Sequence, residues 1–227
     1  MKNIFLLIFL AMFSCSEQEK EQPVETKQPA QKDSLAINYK LLGKMSVTGD
    51  FNGDGIQDTI FQHNINAETG LSIDSCPDPW KHEWDSVVMY LSKNHSRVTL
   101  SSSLKDIDTL SLTEGMGLFC LINIGDNNHD KKDEIAMVVD LLDVSRLNSC
   151  RIYTICGKTW LELKAFSVYE GAFDSYGKEP VPTDRIEGFL EKKNGTWKYL
   201  DYIDELQAND DSETGRFKPL RLKSCKS

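Results

Sequence analysis

From Ile37 onward the apolar positions come in short runs, many with a period of two, and the runs stop at Gly, Asn, Asp or Ser. Asp85–Leu91 (DSVVMYL), Gly117–Ile124 (GLFCLINI), Glu134–Leu142 (EIAMVVDLL), Cys150–Cys156 (CRIYTIC) and Trp160–Val168 (WLELKAFSV) are rich in the β-branched and aromatic residues that favour strands. Alternation is clearest where Trp160, Glu162 and Lys164 interleave with Leu161, Leu163 and Ala165. Lys193-Asn194-Gly195-Thr196, between Phe189-Leu190 and Trp197–Leu200, predicts a hairpin, because Asn-Gly accepts the positive φ of a type I′ turn. Only Ile203–Ala208 reads as a helical turn. Strands at short intervals with no alternating helices predict an all-β, antiparallel domain, either propeller-like or barrel-like. His63–Trp84 contains Cys76, Pro77 and Pro79 with no strand pattern and reads as an inserted loop. It gathers Trp80, His82 and Trp84, which serve either as exposed anchors for a protein or sugar partner or as a satellite core.

The N-terminus has a different pattern. Lys2 precedes an unbroken apolar run of ten residues, Ile4–Phe13, followed by Ser14 and Cys15. A charged start, a short apolar core and a small residue at the cut make a secretory signal over residues 1–14, too short to span a membrane as a mature helix. An ordinary secretory cleavage nearby is the alternative. Met12-Phe13-Ser14-Cys15 resembles the end of a bacterial lipoprotein signal, which implies lipidation of Cys15; Met12 stands where Leu is usual. Ser16 after that cysteine resembles an outer-membrane address, facing the periplasm or the cell surface. Residues 15–36 carry no aromatic side chain and two prolines, so they read as a flexible linker reaching on the order of 25 Å. One domain then spans 37–227.

Charge narrows the partners. Lys+Arg number 26 against 35 Asp+Glu, a net charge of -9, which argues against nucleic acid. Of the six cysteines, five follow Cys15: Cys76, Cys120, Cys150, Cys156 and Cys225. None forms a C-x-x-C pair, so zinc is not indicated, whereas export makes disulfides plausible. A bond that pins Cys225 is favoured because the tail FKPLRLKSCKS has little else to anchor it.

The candidate chemistry occurs twice. Asp50, Asn52, Asp54 and Asp58 stand at positions 1, 3, 5 and 9 of one loop, and Asp126, Asn128, Asp130 and Glu134 repeat the spacing 76 residues later. Alternate oxygen-bearing side chains in a tight loop converge on one point, and the carbonyl of position 7, Ile56 or Lys132, adds a fifth ligand. That set suits calcium, one or two ions, which takes six to eight oxygens at about 2.3–2.6 Å in irregular geometry. An EF-hand is rejected: position 12 is Phe61 or Met137 rather than Glu, and both flanks read as strands. The loops resemble the calcium loops of FG-GAP (integrin alpha-type) and related VCBS-like bacterial repeats, D-x-[DN]-x-D-G-x-x-[DE], which join strands of a propeller blade. The resemblance covers 49–60 and 125–135. It implies a small or incomplete propeller, since the chain is too short for a many-bladed ring. The second loop departs from it with Lys131 where Gly is expected, and its two lysines predict weaker binding there.

No H-E-x-x-H, G-x-S-x-G, P-loop or G-x-G-x-x-G is present, and the four histidines are scattered. Ser102-Ser103-Leu104-Lys105 matches S-x-x-K without its companion motifs, and Glu83 with Asp85 is the one carboxylate pair near tryptophans that a glycosidase reading could use. The expectation is therefore a binder rather than an enzyme. Some exported bacterial lipoproteins with similar loops act as inhibitors or immunity proteins against cell-wall hydrolases, and an acidic domain would steer towards a basic hydrolase. A carbohydrate-binding surface lipoprotein using Trp80 and Trp84 is the alternative.

Overall fold

The computed structural model describes residues 38–174, 184–207 and 217–225. The signal, Cys15 and the linker to residue 36 lie outside the described residues. Ile37–Ser227 is one compact unit. Its elements, in chain order, are β1 (Tyr39–Leu41), β2 (Ser46–Gly49), β3 (Asp58–Asn66), β4 (Ser75–Pro77), α1 (Trp84–Lys93), β5 (Ser96–Ser102), β6 (Leu110–Ser111), β7 (Gly117–Gly125), β8 (Glu134–Asp140), β9 (Leu147–Cys156) and β10 (Thr159–Tyr169). A 3₁₀ turn at Glu170–Phe173 follows, then β11 (Leu190–Lys193), β12 (Thr196–Tyr199), α2 (Tyr202–Leu206) and β13 (Lys218–Pro219).

Every pairing between these strands is antiparallel. The strands form four sheets: β2-β3-β5-β6, β10-β9-β8-β7, β11-β12-β13 and the short pair β1-β4. None closes into a barrel among the described residues, so the barrel alternative is not what forms.

The sheet β7–β10 lies between two cores. On one face Ile135, Met137 and Val139 pack with Leu118, Leu121 and Tyr153, and meet Ile60, Val98 and Leu100 of the β2–β6 sheet. On the other face Ala136 and Val138 join Cys120, Ile122, Cys150, Ile152 and Phe166, covered by Ile186, Leu190, Trp197 and Leu220. Residues 134–139 are all buried, which is why β8 reads as a continuous apolar run rather than an alternating one.

The largest correction to the sequence reading is Asp85–Leu91, expected as a strand and found inside α1. Its β-branched residues, Val87 and Val88, mislead, but burial follows the helical spacing: Val87 and Leu91 are buried, four apart, while Met89 is 65% exposed. These residues close a third core with Leu42, Cys76 and Met116. The stretch 63–84 also carries more structure than expected, since β3 runs to Asn66 and β4 pairs Cys76 with Lys40. Elsewhere the local signals hold. Asn194 and Gly195 take φ of 53° and 79° in the β11–β12 hairpin. At α2, Asp201 accepts a hydrogen bond from Ile203 N at 3.1 Å, as an N-cap does.

Cys156 at the end of β9 is joined to Cys225 by a disulfide, while Cys76, Cys120 and Cys150 are buried thiols. The bond closes a sequence separation of 69 residues. By loop-closure entropy it stabilises the fold by about 2–4 kcal/mol. Urea unfolding of the oxidised chain against a Cys156→Ser/Cys225→Ser variant is expected to differ by that amount; equal midpoints would remove the bond from the stability account.

Candidate metal centre

The two acidic loops are the same piece of backbone built twice. Gly49 pairs with Asp58 at the mouth of the β2–β3 hairpin, and Gly125 pairs with Glu134 at the mouth of the β7–β8 hairpin. Within each connection the carboxylates hold the turn by accepting backbone N–H bonds. Asp50 Oδ1 accepts from Gly53 and Asp54 at 2.8 and 3.1 Å, and its Oδ2 from Gly55 at 2.8 Å. Asp126 does the same with Asp130 at 3.2 Å and Lys131 at 2.9 Å. Asn52 and Asn128 each accept through Oδ1 from the N–H two residues on, both at 2.9 Å. Asp54 accepts from Ile56 N at 2.8 Å and Asp130 from Lys132 N at 3.1 Å.

Positions 4 and 6 need a left-handed backbone. The first loop meets the need with Gly53 and Gly55 at φ of 82° and 83°. The second puts His129 and Lys131 there, at 63° and 73°. Lys131, which the sequence reading took as a departure from the pattern, therefore adopts the glycine conformation. A side chain there costs about 1–2 kcal/mol.

The ninth-position acids turn inward. Asp58 is 7% exposed and Glu134 is fully buried. Each accepts one backbone bond from position 2, Asp58 from Phe51 and Glu134 Oε2 from Asn127 N at 2.8 Å. The other oxygen of each, Asp58 Oδ2 and Glu134 Oε1, is buried without a partner. Burial pushes both groups up, opposed by the position-2 N–H and reinforced by neighbouring acids: Asp54 and Asp50 for Asp58, and Asp130, Asp126 and Asp133 for Glu134. Glu134 rises to about 7. A buried carboxylate oxygen with no donor is costly, and a cation is the kind of partner that removes the cost.

Here the loops diverge. Asp126, Asp130 and Glu134 bring ligand oxygens within 4.8 Å of one another, a group able to hold a cation. Asp50, Asp54 and Asp58 do not reach that proximity. Two features separate the loops: Glu134 at position 9 is one methylene longer than Asp58, and one amide has a different partner. Asn52 Nδ2 donates to Asp54 Oδ2 at 2.9 Å and ties that oxygen down. Asn128 Nδ2 donates instead to Lys223 O at 3.3 Å, and Asp130 Oδ2 is left buried without a partner. Of the position-7 residues, Lys132 sends Nζ to Ile155 O at 3.1 Å, and Ile56 leaves its side chain 66% exposed.

The loops also touch. Asp133 N donates to Asp50 O at 2.8 Å, and Asp133 Oδ2 accepts from Asp50 N at 3.0 Å and Asn123 Nδ2 at 2.8 Å. A Cβ on Gly49 would meet Asn123 Nδ2 and Asp133 Oδ2, so this close approach requires glycine. Phe51, at position 2, is 1% exposed and roots the first loop in the core between the sheets. Sequence reasoning missed Asp133, Asn123 and Lys223, because their partners are 83, 75 and 95 residues away. Beside the second loop an open groove of about 500 Å³ is lined by Asp126, Asn128, His129, Lys192 and Arg221.

The three residues of the aromatic stretch differ in exposure. Trp80 is 90% exposed on the turn after β4, but Trp84 opens α1 and packs against the Val87–Leu91 core. His82 is half-buried, its backbone N–H bonded to Asp78 O at 3.0 Å. Of the three, Trp80 is the most exposed. Comparison of the chain with protein-family models, curated proteins and solved structures finds no match.

Two outcomes are expected. Lys131→Gly should stabilise the domain in millimolar calcium by about 0.5–1 kcal/mol, the left-handed cost less the entropy of glycine; a loss of stability would contradict the strain at Lys131. Glu134 in the fold holds its proton up to about pH 7, against 4.5 ordinarily, so without metal the folded state binds more protons across that interval. Metal-free stability should therefore fall as pH rises through the interval. Glu134→Gln should flatten the slope, measured as melting temperature against pH in chelator, and an identical slope in both proteins would assign it to other groups.

Proposed function

We propose that the chain is a calcium-stabilised β-domain, tethered to the outer membrane through a lipidated Cys15, that binds a protein partner. The observation that carries the calcium reading is the repetition itself. Two hairpins share spacing, mouth pairing and hydrogen bonding, and each directs an unpartnered carboxylate oxygen into its loop. Asp50, Asn52, Asp54, Asp58 and the Ile56 carbonyl form one ligand set; Asp126, Asn128, Asp130, Glu134 and the Lys132 carbonyl form the other. Successive antiparallel sheets, two of which carry such a loop within a hairpin, support an FG-GAP-like, propeller-like arrangement with few, small blades.

The calcium is structural in this reading. Affinity of about 10⁻⁴–10⁻³ M, usual for extracellular modules, suits a protein bathed in environmental calcium. The domain presents surfaces rather than a catalytic constellation, which favours a binder over an enzyme. The chain's net charge of -9 suits a basic partner, such as a cell-wall hydrolase that the domain would inhibit. Exposed Trp80 keeps a second reading in play, in which the partner is a glycan stacked on that ring.

At a dissociation constant of about 10⁻⁴ M, 2 mM calcium should stabilise the fold by about 2 kcal/mol, a rise of roughly 4–7 °C in melting temperature. Asp54→Ala with Asp130→Ala should remove most of that gain, and a full gain in the double variant would sink the calcium assignment. For the partner, affinity capture with the tagged chain from exported proteins, with calcium and again with chelator, should return one stoichiometric protein dependent on calcium. Retention on glycan that is lost on Trp80→Ala would favour the second reading.

A further inference from the structure

The chain end reaches the second loop by two routes that share one covalent bond. Cys156 follows Ile155, whose carbonyl accepts Lys132 Nζ at 3.1 Å, and Cys225 follows the segment whose Lys223 carbonyl accepts Asn128 Nδ2. Upstream, the tail is held by the sheet: β13 pairs with β12, Leu220 is buried and its N–H donates to Trp197 O at 2.9 Å. Beyond Leu220 the support thins. Among the described residues, the only hydrogen bonds of 221–225 are the 3.3 Å bond from Asn128 and a 3.8 Å sulfur contact from Cys225 to Ile155 O. Ordering a residue costs at least as much as one such bond returns. Leu222 packs half-buried against the core, but one long hydrogen bond and one half-buried side chain are little to order five residues, and the disulfide is the covalent constraint nearest Lys223 O.

We infer that the Cys156–Cys225 disulfide positions the tail so that the second loop keeps Asp130 Oδ2 free for a cation, and that opening the bond weakens cation binding at this loop alone. The inference rests on the reading of the loops as cation sites. The first loop pictures the released state: no tail carbonyl takes the Asn52 amide, and that amide donates to Asp54 Oδ2. Freed from Lys223 O, the Asn128 amide turns the same way onto Asp130 and competes with the ion. Opening is an exchange with a dithiol reductant, which supplies two electrons and two protons, leaves Cys156 and Cys225 as thiols and becomes a cyclic disulfide. The role of the two cysteines is to position Asn128; neither is a ligand.

The test is calcium titration calorimetry on the full chain, one loop at a time. In an Asp54→Ala background, which leaves the second loop, affinity should fall about fivefold to tenfold on Cys156→Ser/Cys225→Ser or on treatment with a dithiol, the worth of about one ordinary hydrogen bond. In an Asp130→Ala background, which leaves the first loop, the same changes should leave affinity unaltered, which also verifies that the fold persists. Asn128→Asp removes the amide but keeps a ligand oxygen, so in that variant the disulfide should no longer affect affinity. Equal second-loop affinity with the bond open or closed overturns the inference while leaving the cation reading intact. Parallel losses at both loops overturn it in favour of general destabilisation. No calcium at either loop with the bond closed overturns the cation reading and the positioning role with it.

Discussion

The sheet β7–β10 is covered on both faces, and the placement of the acidic loops depends on that constraint. Because side chains alternate along a strand, a slip of one residue in β8 would exchange Ile135, Met137 and Val139 with Ala136 and Val138 between two cores of different shape. Register is therefore fixed at Glu134, the first residue of the strand, whose carboxylate is carried under the loop with no freedom to turn outward. The first loop inherits its position from the same sheet. Phe51 inserts into the core on that sheet's outer side, and Asp50 is bonded in both directions to Asp133, the residue before Glu134. Two hairpins from different sheets thus hold their acidic turns against each other through the packing of apolar strands together with the Asp50–Asp133 bonds.

How far the sequence discloses this follows from the range of each interaction. The loops are legible because their geometry is local: the bonds that shape the turn join residues no more than seven apart, and Asp, Asn and Gly at alternate positions state it directly. The hairpin at Asn194-Gly195 is legible for the same reason. Asp85–Leu91 was misread because Val, Tyr and Met satisfy a strand template over a few residues, whereas the helix is decided by which positions find a core. That core comes from Leu42, Cys76 and Met116, which lie on other elements. The fate of Trp84 is decided by the same distant residues, and so the pairing of Trp80 with Trp84 could not be read correctly from their proximity in the chain.

The two loops separate local from tertiary control of one motif. Local sequence sets what they share: the mouth pairing, the cap on the first carboxylate and the two left-handed residues. Glycine at those positions in one loop and His129 with Lys131 in the other makes no difference to the path, only to its cost. What differs is the length of the ninth-position acid, Asp58 against Glu134, and the second hydrogen bond of an asparagine, to a carboxylate in one loop and to the carbonyl of Lys223 in the other. Charge counting from sequence ranks the first loop as the better cation site, since it carries no lysine. The arrangement of oxygens ranks them the other way, because Asp126, Asp130 and Glu134 converge and their counterparts do not.

These rankings concern different terms. Net loop charge sets the long-range attraction of a cation, which salt screens over about 8–10 Å. Convergence of oxygens sets how much rearrangement must precede coordination, a cost that salt does not reduce. In the second loop Lys132 is spoken for by the Ile155 carbonyl, so its charge is held by the backbone of β9 instead of lying free over the acids. The groove beside the loop keeps Asp126 and Asn128 open to approach. The loop that departs from the glycine pattern is the one whose acidic oxygens the fold brings closer together, while the loop without lysine keeps the stronger long-range attraction.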